Sequence, residues 1–229
     1  MDVGLAMTAR NHPDSPRPLT EIYQEVLDEA VLGEQLGFHS WWLAEHHFAE
    51  DQHNPSQFPL LAAAATRTST IRIGTYVLLL PLHNPIRVAE DAASVDILSN
   101  GRLDLAIGAG PMPNECAVFG IDPKESFGRT YEALEVIEKC FTDEEFTHQG
   151  RYFTFRSVKM TTKPVQQPGP RIYLAALGEQ AGELTQRPLH PHRSQTLTFA
   201  WRNMILLAEN IAMQDHRPPE GAAWTSAWP

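Results

Sequence analysis

Residues 71–110 read IRIGTYVLLLPLHNPIRVAEDAASVDILSNGRLDLAIGAG, and this stretch decides the fold. Ile71 to Leu79 is an apolar run of strand length. Pro85 to Leu98 opens on a proline, mixes acidic with apolar residues at helical spacing, and is stopped by Asn100-Gly101. Leu103 to Ile107 then reads as a second, buried strand. Two strands joined by one helix are the unit of a parallel sheet, because parallel neighbours need a long crossover.

The same alternation continues in both directions. Towards the N-terminus, Asp2 to Met7 and His39 to Leu43 are short strands. Between them Leu19 to Leu36 is a helix, with Ile22, Val26, Leu27, Ala30, Gly33 and Leu36 on one face and Gly37 as its stop. Phe58 to Ala65 is helical. Towards the C-terminus, Gly128 to Phe141 is an amphipathic helix, and Arg171 to Ala176 is a strand that follows the proline-rich segment Lys163 to Pro170. Five recognisable strands alternating with helices imply an α/β fold with a helix-covered parallel sheet, either doubly wound or closed into eight units. The loops after the second, third and fourth strands (EHHF, PLHNP and GAGPMPNE) carry the chemistry-bearing residues. Barrels of the (β/α)8 TIM type collect their active sites there, which favours the barrel.

Composition narrows the function. The 229 residues are 42% apolar, enough for one sizeable core, and 28 Asp+Glu outweigh 18 Lys+Arg for a formal charge of −10. Without a basic cluster, neither nucleic acid nor an anionic membrane is the expected partner. No apolar run approaches a membrane span and the N-terminus does not read as a leader, so the expected compartment is the cytoplasm. Cys116, in a stretch that reads as a loop, and Cys140, in a helix, have no metal or redox spacing and are expected as packed thiols.

Glu45-His46-His47-Phe48 stands just past the second strand, where an imidazole can exchange protons. No metal is expected there, because HExxH is absent and adjacent side chains at a strand end point to opposite faces. Gly108-Ala109-Gly110 begins like a dinucleotide fingerprint, but Pro113 stands in place of the third glycine and no helix is expected to open there. What remains is a loop whose backbone can approach a flat ligand. Arg129, at the start of a helix, offers forked phosphate geometry, and Leu177-Gly178-Glu179 could turn amide hydrogens towards an anion.

Taken in this order, WWLAEHHF (41–48), residues 71–110, ECAVFGID (115–122), the Arg129 helix and PRIYLAA (170–176) resemble the bacterial luciferase-like family of flavin-dependent monooxygenases and oxidoreductases. The resemblance runs from about Val3 to about Thr185. It implies a (β/α)8 barrel in which His46 is the catalytic histidine beside the flavin. It also implies a non-proline cis peptide at Tyr76-Val77 against the ring, with Gly108, Ala109 and Gly110 beside it. Glu115 would be the nearby acidic residue and Arg129 the phosphate-binding arginine, while Ala175 to Gly178, including Leu177, would close over the phosphate. Reduced FMN is the implied cofactor, and oxygen, a small organic substrate and a separate flavin reductase are the implied partners. Ala109 stands where many monooxygenases of the family carry arginine and where relatives using a deazaflavin coenzyme do not, so that coenzyme is the alternative.

The barrel portion is expected over residues 1–186. Residues 187–229 read as a divergent tail with no strand and a single helical stretch, Thr196 to Ile211. Five strands without closure expose edges and an apolar face that the tail or a second copy of the chain would cover. Two function classes therefore stand: a flavin-dependent monooxygenase, and a flavin-binding remnant without turnover. Hydride transfer with a deazaflavin is the third.

Overall fold

The computed structural model describes residues 3–142, 144–175 and the backbone of 194–197. Its parallel strands are β1 (Gly4–Met7), β2 (Ser40–Leu43), β3 (Arg72–Leu79), β4 (Leu103–Gly108), β7 (Arg171–Ala175) and β8 (Ser194–Leu197), in the order β1-β2-β3-β4-β7-β8. Helices α1 (Leu19–Gln35), α2 (Gln57–Arg67), α3 (Pro85–Leu98), α4 (Pro113–Phe119) and α5 (Ser126–Phe141) fall between successive strands. β5 (Phe146–Gln149) and β6 (Thr154–Val158) form a separate antiparallel hairpin. Among the described residues β1 and β8 are the two edges, and the sheet is an open portion of a (β/α)8-type barrel.

The alternation of strand side chains separates two environments. Trp41, Leu43, Ile73, Leu103, Leu105, Ile107, Ile172 and Leu174 join the main core with apolar residues of α1, α2, α3 and α5. On the other face Trp42, Ala106 and Tyr173 form a smaller cluster that Ala6, Tyr76 and Val77 extend. Gly74 pairs with Trp42 across β2 and β3, and a Cβ on it would lie 2.4 Å from the indole, so only glycine leaves space for that ring. At the amino end of this face Asp104 is held by Arg72 and Arg171, with Arg72 Nε 2.7 Å and Arg171 Nε 2.9 Å from its carboxylate.

Local chemistry accounts for the element ends. Asn84 caps α3 by accepting from the amides of Ile86 and Arg87, with Pro85 next in line. The Asn100-Gly101 stop adopts φ of 55° and 81°. Arg102 donates to the carbonyls of Ala65, Thr68, Ile71 and Ser99, fastening α2 and α3 to the start of β3.

Three expectations need correction. A helix does open after the GAG turn: Pro113 begins α4, a position where proline's missing N–H costs nothing, and Gly120 ends it at φ 68°. Cys116 therefore lies buried in a helix and not in a loop, and both cysteines are free and buried. The tail does contain a strand. Ser194–Leu197 pairs in parallel with Ile172–Ala175, so hydrogen bonding along the exposed edge of β7 overrides the helical spacing read from Thr196 onward. Residues 198–211 of that helical stretch lie outside the described residues. No described helix is long and apolar enough to cross a membrane.

Glu29 of α1 carries a testable liability. Its Oε2 is buried with no hydrogen-bond partner among the described residues, and burial, aided by the charge of Glu25, pushes its carboxyl up to about 7. A folded-state value above the unfolded one means the native state holds the proton more tightly. The stability cost is absent below about pH 4.5 and fully present above about pH 7. Glu29→Gln is expected to stabilise the fold by about 2 kcal/mol at pH 8 and hardly at all at pH 4. Thermal melts of both proteins across this range check it, and an equal effect at both ends contradicts it.

Candidate functional site

The EHHF turn leaves β2 at the carboxyl edge of the sheet and is pinned by Asn54. The Asn54 carbonyl accepts from the His46 amide at 3.2 Å, and its own amide donates to Ala9 at 2.8 Å. From this turn the side chains diverge. His46 is 47% exposed and reaches towards α4, its Nδ1 3.5 Å from Glu115 Oε1. The His53 ring crosses it edge to face, with centroids 4.7 Å apart. Burial, with the charge of His46 adding to it, holds His53 down to about 4, so His53 is neutral at pH 7.

Glu115 is fully buried and accepts from two backbone amides, His47 N at 2.8 Å and Met112 N at 2.6 Å. One carboxylate thus ties α4 to the EHHF turn and faces the His46 ring. This places Glu115 and His46 together, as expected.

Glu45 and His47, two residues apart, turn to the same side. Glu45 Oε1 lies 2.9 Å from His47 Nε2 and 2.7 Å from His83 Nε2, and Oε2 accepts from the Leu79 amide at 3.3 Å. The adjacent histidines do diverge, His46 towards Glu115 and His47 towards Glu45. With His83 arriving from the turn after β3, Glu45, His47 and His83 bring three ligand atoms within 4.8 Å of one another. The signal was present as period-two alternation from Glu45 to His47 and as the histidine of PLHNP, but only the paired register of β2 and β3 joins them.

Tyr76-Val77 is a cis peptide, as the resemblance implied. It coincides with a break in the β3–β4 register between Thr75 and Leu78. A Cβ on Gly108 would lie 2.5 Å from Val77 Cγ2, so the space left by this glycine is filled by Val77 and not by open room for a ligand. Gly110 has nothing within 4 Å of its Cβ position and is the glycine whose backbone lies open. Ala109 between them is buried. Gly108→Ala is expected to displace Val77, a side chain stiff at χ1, and to cost about 1–3 kcal/mol of stability. A denaturation midpoint unchanged from wild type would contradict this packing.

Arg129 lies in the first turn of α5, a helix that packs against the Leu80–Leu82 turn following β3. Its guanidinium is 23% exposed, pairs with Glu125 at 3.3 Å and sits 5.2 Å from the Tyr152 ring centroid. Ala175 ends β7 beside Gly108, whereas Leu177 and Gly178 lie outside the described residues. Phe48 and Phe119, both exposed, form an apolar rim against His47, and Met112 and Val118 are further large exposed apolar residues at the start of and within α4.

Known proteins share this architecture. The oxygenase component of the flavin-dependent trigonelline monooxygenase of Acinetobacter baylyi is 32% identical over 158 residues, covering 68% of this chain and 44% of that protein. An F420-dependent glucose-6-phosphate dehydrogenase of Amycolatopsis mediterranei is 34% identical over 162 residues, covering 68% and 48%. The oxygenating constituent of 3,6-diketocamphane monooxygenase from Pseudomonas putida, solved in complex with FMN, superposes with a TM-score of 0.70 at 26% identity, covering 76% of this chain and 51% of that one. The chain spans about half the length of the curated relatives it matches. Residues 1–215 match the family model for luciferase-like monooxygenases, and the chain belongs to that family.

Proposed function

We propose that this chain carries the flavin-binding edge of an oxidoreductase that uses reduced FMN and oxygen to oxygenate a small organic substrate. The observation that carries the reading is His46, half exposed with its Nδ1 3.5 Å from the buried Glu115, at the same sheet edge where Val77 is seated on Gly108. The residues suit a flavin. Tyr76, Val77, Ala109 and the open backbone of Gly110 offer a surface for a flat ring, and Arg129 offers a guanidinium paired with Glu125, which is 31% exposed. Ala175, Leu177 and Gly178 would close over the phosphate. Bound reduced flavin would supply the electrons that activate oxygen.

The protein's own part is positional and protonic. Glu115 faces His46 at Nδ1, which leaves Nε2 as the nitrogen that gives or takes a proton. The Phe48 and Phe119 rim limits water and suits an apolar substrate. A reductase would deliver the reduced flavin, in keeping with the trigonelline relative's being an oxygenase component.

Ala109 favours a second reading, hydride transfer with a deazaflavin coenzyme, a class in which the dehydrogenase relative falls. Anaerobic titration of the full chain with reduced FMN and with the reduced deazaflavin, followed by mixing with oxygen in a stopped-flow cell, separates the readings. Saturable FMN binding and an altered reoxidation course support the monooxygenase. Tighter deazaflavin binding supports the second reading, binding without turnover of any substrate marks a remnant, and no binding of either contradicts all three.

A further inference from the structure

Glu45 is almost fully buried and reads as an ionised carboxylate, since both its oxygens lie within hydrogen-bond distance of nitrogen partners. An ionised carboxylate only accepts hydrogen bonds. The Leu79 amide takes Oε2, and two imidazole nitrogens, both Nε2, converge on Oε1 at 2.9 and 2.7 Å. Each must therefore bring its own proton.

We propose that Glu45 is a positioning residue that locks His47 and His83 together as Nε2–H tautomers, leaving Nδ1 as the one basic nitrogen each ring can present at the β2–β3 edge. His47 is held further by Phe119, edge-on at 5.0 Å, and by Phe48 at 5.8 Å. His83 is 29% exposed and is the ring of the pair open to a ligand. Its Nδ1 accepts hydrogen bonds, so it would recognise a donor group, an N–H or O–H, on a molecule at this edge. That the molecule is a flavin or its substrate rests on the function proposed above; the tautomer lock does not.

The same three residues are a donor set for a divalent transition metal, with ligand atoms within 4.8 Å. A metal bound through Nε2 would have to displace those protons, so the ring tautomers of the metal-free chain report on the lock alone.

The test is a long-range ¹H–¹⁵N correlation spectrum of the histidine rings in the full chain without cofactor, with His47→Asn and His83→Asn samples to assign them. The wild type should show both rings protonated at Nε2 and unprotonated at Nδ1. In Glu45→Gln the side-chain amide cannot accept from both rings and from Leu79, so at least one ring should move its proton to Nδ1. Either ring protonated at Nδ1 alone in the wild type overturns the proposal, as do unchanged tautomers in Glu45→Gln. Should the variant not fold, the wild-type spectrum still decides. Reduced-FMN titration of the same wild-type sample reports separately on the flavin reading.

Discussion

His46→Ala is expected to slow turnover on the order of a hundredfold or more while changing reduced-FMN affinity less than about threefold. The reasoning is geometric. His46 is half exposed at the mouth of the sheet edge, its one ion-pair partner among the described residues is the buried Glu115, and its ring does not belong to either apolar cluster of the fold. On the proposed function, removing it takes away a proton carrier and little packing. His53 cannot substitute, since it is held neutral at pH 7. Stopped-flow reoxidation and substrate turnover, measured beside equilibrium titration of reduced FMN, give the two quantities. Equal losses in affinity and rate would assign His46 to binding instead of proton transfer.

Arg129→Ala is expected to weaken FMN about ten- to a hundredfold, the equivalent of one charge-assisted hydrogen-bond pair, and to leave riboflavin affinity unchanged because riboflavin has no phosphate. Glu125 lies 3.3 Å from the guanidinium and must give way when phosphate arrives, which keeps the effect at the lower end of what a preformed site would show. Lysine should recover only part of the loss, since it lacks the fork. Paired titrations with FMN and riboflavin check this. Parallel weakening of both would move the phosphate elsewhere.

The sheet was legible because its strands are short, apolar and separated by helices with clear stops. Pro85, Asn100-Gly101 and Gly37 each mark an end that the structure retains. The first turn of α4 was hidden by Pro113, read as a fault in a glycine pattern when it was the start of a helix. β8 was hidden for another reason: its pairing comes from the edge of β7, a tertiary partner that no local period reveals. In the site, His46, Glu115 and the Tyr76-Val77 peptide stood out as motifs. Glu45 and His83 did not, because their meeting depends on β2 and β3 lying side by side, 38 residues apart in the chain. The space beside Gly108 is taken by Val77, a fit that no local motif reveals.

A structure of the full chain with reduced FMN bound tests the central claim most directly. The account predicts the ring against the Tyr76-Val77 peptide and Gly110, His46 beside it, and the phosphate in contact with Arg129. A ring seated away from that peptide, or a phosphate with Arg129 still paired to Glu125, would contradict it.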